Sequence, residues 1–224
     1  LLPDRDAGCP MAEMITPMNV RDLRARHPGA VVVAYVNTSA AVKAVSDVCV
    51  TSANAAAVVA RLPPDRPVVF IPDQLLAAWV ARKTGRELII WPGYCPTHVA
   101  ILPEDIEREK RLHPEARVMV HPECPAAVGD SAGEVLSTSG MVRFVRESPA
   151  REFIVGTELG LISRLQRENP TKVFYPASPR ALCPNMKRIT LEKVLWSLED
   201  LQPAVSVPEA IRLGAKRALD AMLA

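Results

Sequence analysis

Three Cys-Pro dipeptides stand in this chain, at Cys9-Pro10, Cys95-Pro96 and Cys183-Pro184, separated by 86 and 88 residues. Each follows a strand-like apolar stretch broken by Pro or Gly. Leu1-Leu2-Pro3 leads through Gly8 to Cys9, Leu88-Ile89-Ile90 leads through Trp91-Pro92-Gly93-Tyr94 to Cys95, and Val173-Phe174-Tyr175-Pro176 leads to Cys183. A strand end that turns abruptly and presents a thiol is where α/β proteins place chemistry. Three thiolates without a close-set fourth suit a 4Fe–4S cluster with one open iron, which binds substrate oxygen or nitrogen as a Lewis acid. Zinc held by the three cysteines and His98 is the rival reading, although structural zinc sites favour close-set Cys-x-x-Cys pairs. Three thiols packed as small apolar residues is the third. Cys49, between Val48 and Val50, reads as a core thiol. Cys124, in His121-Pro122-Glu123-Cys124-Pro125, breaks the period and is not read as a ligand.

Other groups that could do chemistry fall at strand ends and helix starts. Tyr35 and Asn37 close one strand, and His121 and Glu123 close its twin, at the edge where α/β sheets bind ligands. In a strand running over 117–123, His121 and Glu123 share a face and can share a proton path. Glu123 is the first choice as general acid or base, with His121 and Tyr35 assisting. Thr51-Ser52 and Thr138-Ser139 precede helices, where free N–H groups and hydroxyls can hold phosphate or carboxylate; plain N-capping is the alternative. His27 and His113 precede prolines at the opposite edge and read as turn residues.

The elements that must position these groups alternate. Strands are expected at 30–37, 48–50, 67–72 and 88–91. Helices are expected at 18–29, 38–45, 55–62 and 75–84, the last closed by Gly85. The strands are β-branched and apolar on both faces, as in a parallel sheet covered by helices. The second half repeats the first at an offset of about 86: His113-Pro114 on His27-Pro28, strand 118–123 on the strand ending at Asn37, Ser137-Thr138-Ser139-Gly140 on Thr51-Ser52-Ala53-Asn54. In the same series helix 141–147 falls on 55–62, strand 152–156 on 67–71, and helix 159–167 on 75–84. Such landmarks at one offset mark a duplication. The expected fold class is α/β, with repeated small doubly wound parallel-sheet units, three layers each, arranged with pseudo-threefold symmetry. The expected division is 1–17 as the end of a first repeat missing upstream, 18–100 and 101–189 as repeats, and 190–224 as a helical tail whose apolar spacing serves packing.

Composition narrows the function. The net charge is +2 and the basic residues are scattered, which leaves no nucleic-acid footprint. No apolar run approaches the ~20 residues of a membrane span, and the start has no signal-peptide pattern. Five cysteines at wide spacing fit reduced thiols in the cytoplasm better than a disulfide scaffold.

Gly8-Cys9-Pro10, Val36-Asn37-Thr38-Ser39-Ala40-Ala41-Val42-Lys43-Ala44, Thr51-Ser52-Ala53-Asn54, Trp91-Pro92-Gly93-Tyr94-Cys95 with His98, His121-Pro122-Glu123-Cys124-Pro125, Ser137-Thr138-Ser139 and Cys183-Pro184-Asn185-Met186 together resemble the quinolinate synthase family. The resemblance implies three similar α/β domains around a 4Fe–4S cluster and a transferase of NAD biosynthesis. That enzyme condenses iminoaspartate with dihydroxyacetone phosphate to quinolinate, phosphate and water. It implies cluster ligation by Cys9, Cys95 and Cys183, and substrate contact by Tyr35, Asn37, Ser52, His98, His121, Glu123 and Thr138. It also implies L-aspartate oxidase or aspartate dehydrogenase as the source of iminoaspartate. Some members carry a Cys-x-x-Cys-x-x-Cys run at the third position, where this chain has Cys183 alone. The family's first domain supplies further site residues, so this stretch by itself is expected to be inactive, with an incomplete, solvent-open site. A non-catalytic iron–sulfur or zinc-binding sensor is the competing class.

Overall fold

Val31-Val32-Val33-Ala34 is buried on both faces, and that burial is what makes it a central strand rather than half of a hairpin. In the computed structural model, which describes residues 1–224, this strand, β1 (Val31–Tyr35), follows α1 (Pro17–Arg26). Next come α2 (Ala40–Ala44), β2 (Val48–Val50), α3 (Ala55–Arg61), β3 (Val68–Ile71), α4 (Gln74–Thr84), β4 (Ile89–Ile90) and the short α5 (Pro96–Val99). All pairings are parallel, in the order β2-β1-β3-β4, with Val31 opposite Val68 and Val33 opposite Val48. Alternate side chains of β1 serve two cores. Val31 and Val33 pack with Val58 of α3 and Leu76 and Val80 of α4, while Val32 and Ala34 pack with Val20 and Leu23 of α1 and Val42 of α2.

The second half builds the same object. It contains α6 (Pro103–Leu112), β5 (Arg117–Val120), α7 (Ala126–Ser131), β6 (Glu134–Val135), α8 (Thr138–Glu147), β7 (Glu152–Gly156), α9 (Gly160–Glu168) and β8 (Val173–Pro176). The order is β6-β5-β7-β8, again all parallel. Val118, Val120 and Ile154 face Ile106 of α6 and Val128 of α7; Met119, Phe153 and Val155 face Met141 and Val145 of α8 and Leu165 of α9. The duplication reaches single hydrogen bonds. His27 N–H donates to Leu23 O and Ala30 N–H to His27 O; 86 residues on, His113 N–H donates to Glu109 O and Ala116 N–H to His113 O. Both histidines are helix C-caps, as their turn setting suggested.

Several details differ from the sequence pattern. β1 stops at Tyr35 and β5 at Val120, so Asn37 and Glu123 lie in the turns beyond, not in the strands. Pro122 has no N–H to continue a ladder, and Cys124 N–H closes a turn onto His121 O. Helices α6 and α7 are not marked by apolar periodicity, because α6 buries little more than Ile106 among charged residues. α8 starts at Thr138 because Ser137 caps it through Gly140 N–H. The tail forms α10 (Leu191–Asp200) and α11 (Glu209–Leu223). α11 packs on α2, where Gly214 meets Ala44 with no room for a Cβ. α10 does not pack as its apolar spacing suggested: Leu191, Leu195 and Leu198 are exposed. No helix is long and apolar enough to cross a membrane.

Candidate metal and active site

Each Cys-Pro pair is followed by a short helical turn: Ala12–Met14 after Cys9, α5 after Cys95 and Asn185–Lys187 after Cys183. Pro cannot extend the preceding ladder, but its fixed φ suits a first helical residue. In this way each strand-exit loop becomes a turn with the sulfur at its start. Cys9, Cys95 and Cys183 line one cavity of about 500 Å³, with Asn37, His98, Glu123 and Glu158 in its wall. All five cysteines are free thiols. Cys49 is buried in β2 and Cys124 in the core beside α7, where its thiol donates to Gly156 O, and neither reaches the cavity. Burial raises the Cys9 pKa and nearby Cys95 adds to it, while the N–H groups of Met11 and Ala12 oppose the rise. Asn37 Nδ2 also donates to Cys9 Sγ at 3.5 Å. Three cysteines from separate loops lining one space, with N–H donors at the Cys9 sulfur, fit a thiolate-ligated cluster.

Glu123 is the hub beside them. Tyr35 donates to its Oε1 at 2.6 Å, and His98 Nδ1 lies 3.0 Å from its Oε2, an ion-pair contact rather than an aligned hydrogen bond. His121 Nδ1 lies 3.7 Å from Oε1 and accepts the Glu123 N–H at 3.3 Å. His98 and His121 stack with ring centres 4.7 Å apart. The far nitrogens are also held, His98 Nε2 by Thr157 Oγ1 at 2.9 Å and His121 Nε2 by Ser52 Oγ at 3.2 Å. Burial alone would raise the Glu123 pKa, but His98, His121 and Tyr35 outweigh it and hold the carboxyl well below its usual range. Burial likewise disfavours charge on His98, and contact with Cys95 and Glu123 overcomes it, so His98 moves upward. His121 falls to about 4 through burial, with the charge on His98 adding to the fall, and it is neutral. Burial and Glu123 keep the Tyr35 phenol protonated. Cys95, His98 and Glu123 bring ligand atoms within 4.8 Å of one another, a group able to hold a metal ion.

Asn37, His98 and Glu123 therefore face the cavity directly, while Tyr35, His121 and Ser52 stand behind them through hydrogen bonds. The buried Asn37 Oδ1 has no partner. Thr51 and Ser52 do not start a helix directly: Asn54 Oδ1 captures Thr51 N–H and Oγ1, and α3 begins after it. Thr138 is exposed at the start of α8, outside the cavity wall. A groove of about 870 Å³ lined by Arg61, Arg66 and Arg86 holds none of these groups.

Three buried residues were missed by sequence reasoning. Asp73 caps α4, its Oδ2 has no partner, and burial with the nearby Glu123 raises it to about 7. Thr157 and Glu158 join β7 to α9. The repeat carried a usable signal, since an offset of 85 sets Glu158 on Asp73, both of them acids just past a central strand.

The family model described as quinolinate synthetase A protein matches residues 1–224. The chain is 52% identical over 224 residues to a quinolinate synthase of Geotalea uraniireducens, covering all of this chain and 73% of that protein. It is 50% identical over 228 residues to one of Thermus thermophilus, covering 100% and 74%. It is 51% identical over 224 residues to quinolinate synthase 1 of Methanosarcina acetivorans, covering 100% and 73%. With matches of this extent, the chain belongs to the quinolinate synthase family.

Proposed function

We propose that these residues take part in condensing iminoaspartate with dihydroxyacetone phosphate to quinolinate, one phosphate and two waters, a balance that needs no oxidant or reductant. Cys9, Cys95 and Cys183 hold a 4Fe–4S cluster. Bound there, it supplies an open iron acting as a Lewis acid on a substrate oxygen or nitrogen. The observation that carries the reading is the opening of three cysteine loops onto one cavity with ionised Glu123 in its wall. Glu123 takes and returns protons, Tyr35 donates to it as a neutral phenol, and His98 balances its charge. Neutral His121, with its Nε2 on Ser52 Oγ and its Nδ1 accepting the Glu123 N–H, assists by fixing the residue that bears the carboxylate. Asn37 orients substrate through its free Oδ1. Ser52 and Thr138 hold phosphate or carboxylate groups at or near helix starts. In this reading the chain contributes two of three pseudo-threefold repeats, 18–100 and 101–189, with 1–17 belonging to the first and 190–224 a tail. The enzyme is a cytoplasmic transferase, and L-aspartate oxidase or aspartate dehydrogenase supplies its iminoaspartate.

The Cys95–His98–Glu123 group favours a second reading, a zinc-binding or sensor protein. Anaerobic reconstitution of the full-length protein separates the two. Broad visible absorption, about four irons per chain and quinolinate formed from the two substrates support the first. A colourless zinc protein without turnover would replace it with the second.

A further inference from the structure

Glu158 is 6% exposed, lines the cysteine cavity, and is given no role in the reaction above. Its carboxylate gathers three donors. Oε1 accepts the backbone N–H of Cys183 at 3.2 Å, and Oε2 accepts the N–H of Gly160 at 2.7 Å. Lys187 Nζ lies 2.9 Å from Oε1 and 3.1 Å from Oε2. Lys187 ends the short turn Asn185–Lys187, and Cys183 stands just before its cap, Pro184. A single side chain therefore ties both Cys183 and the end of the turn that follows it to the first turn of α9. A bare carboxylate so near three thiolates would oppose anionic ligation; Lys187 supplies the compensating charge.

The first repeat shows what is special here. Asp73 holds the equivalent place. The residue after each acid makes the same bond: Gln74 N–H to Gly93 O at 2.8 Å, and Leu159 N–H to Ala181 O at 2.9 Å. Both carbonyls lie two residues before a cysteine. Asp73, however, spends its oxygen on capping α4 at Leu76 N–H. Cys95 needs no more, because it is the N-cap of α5 and its carbonyl accepts Val99 N–H. Cys183 is followed only by a three-residue turn that starts beyond Pro184. Its neighbour Asn185 is engaged elsewhere, donating to Gly8 O at 2.6 Å beside the first cysteine.

We infer that Glu158 is a positioning residue for Cys183, holding its turn so that the sulfur stays on a bound cluster. The inference rests on Cys183 being a cluster ligand. Groups that orient metal ligands are typically worth 10–100-fold in metal affinity.

The test uses full-length protein reconstituted anaerobically, in four forms: wild type, Glu158→Ala, Glu158→Gln and Cys183→Ala. Readouts are iron and sulfide per chain, the decay of visible absorption after adding an iron chelator, and the circular dichroism melt of the apoprotein. Glu158→Ala is expected to lose absorption roughly 10–100-fold faster while its apoprotein melts cooperatively with native helix content. Glu158→Gln keeps an oxygen for the Cys183 N–H and falls between the two. Decay of Glu158→Ala at the wild-type rate would overturn the inference. So would identical fast decay of both Glu158 variants with a collapsed apoprotein melt, which marks a plain folding role. Cys183→Ala with full iron content would instead remove the ligand reading itself.

Discussion

Two repeats with one fold present unequal chemistry at the same edge. At and just past the end of β1 the first repeat offers Tyr35 and Asn37; past β5 the second offers His121 and Glu123 at the matching places. A phenol and an amide face an imidazole and a carboxylate. The bonds also cross between repeats: Tyr35 donates to Glu123, and Ser52 meets His121. Neither half holds this hydrogen-bonded group alone. The lesson is that duplication preserved the frame, in which the bonds that close α1 and α6 at His27 and His113 repeat 86 residues apart. Function arose where the copies diverged and then faced each other. An amide can orient a ligand, whereas a carboxylate can also move a proton.

The harshest way to break this comparison is to remove what the copies share. Cys9→Ser, Cys95→Ser and Cys183→Ser, each in the full-length protein, are expected to abolish the visible cluster band and activity. Cys124→Ala, in the core of the second repeat, is expected to leave both in place. A Cys124 variant without a cluster, beside a Cys9 variant that keeps one, would put the ligands off the repeat.

The next test strikes the divergence. Glu123→Gln is expected to keep iron content and KM and to lower kcat by roughly 10²–10⁴-fold, the range for losing a general acid–base group. Its twin variant, Asn37→Ala, should act mainly on KM. If Glu123→Gln turned over normally, the asymmetry would lie outside the chemistry, and Tyr35 or a residue outside this chain would be the base.

The sequence made the frame and the three cysteines legible for one reason: periodic features survive duplication, and Cys-Pro and His-Pro pairs keep their spacing. It also showed the strands other than β6, because runs such as Val31-Val32-Val33 have no polar face to leave in water. Helix α6 stayed hidden because charge, not apolar periodicity, dominates it, and α7 because six residues with Val128 alone buried are too short to show a period. The cross-repeat bonds were equally hidden. Tyr35 and Glu123 are 88 residues apart, and nothing local says that their strand ends converge. Asp73 and Glu158 were missed because an acid beyond a strand reads as a solvated loop residue until its burial is seen.

A milder effect is expected at the anion-holding positions. Ser52→Ala and Thr138→Ala should raise KM for the phosphate substrate about ten- to a hundredfold, the cost of a hydrogen bond to a charged group, with the cluster band unchanged. Ser52→Ala should show the larger change, because it also frees His121 Nε2. Cluster loss in either variant would make the hydroxyl structural.

The smallest effect sharpens the comparison far from the site. Asn19 and Asp105 occupy the same place in the first turns of α1 and α6. Asn19 Oδ1 accepts Thr16 N–H at 2.9 Å, and Asp105 Oδ2 accepts Leu102 N–H at 3.1 Å. Only the aspartate also meets cations, with Arg108 at 2.9 Å and Arg180 at 2.8 Å. Burial tends to raise its pKa, but Leu102 N–H and the two guanidinium groups prevail and bring it from the usual 3.8 to about 2. A carboxyl held below its unfolded value stabilises the fold above that value. The contribution fades as the pH drops through the folded value, and about half is gone by pH 3. Both arginines are partly exposed, so water screens the pairs and their share stays small. Asp105→Asn keeps the cap, as Asn19 does, and loses only the charge. Urea unfolding of the apoprotein should show a loss of about 1 kcal/mol at pH 7, shrinking toward pH 3. A loss of the same size at both values would mean that the cap, not the charge, separates the copies at this position.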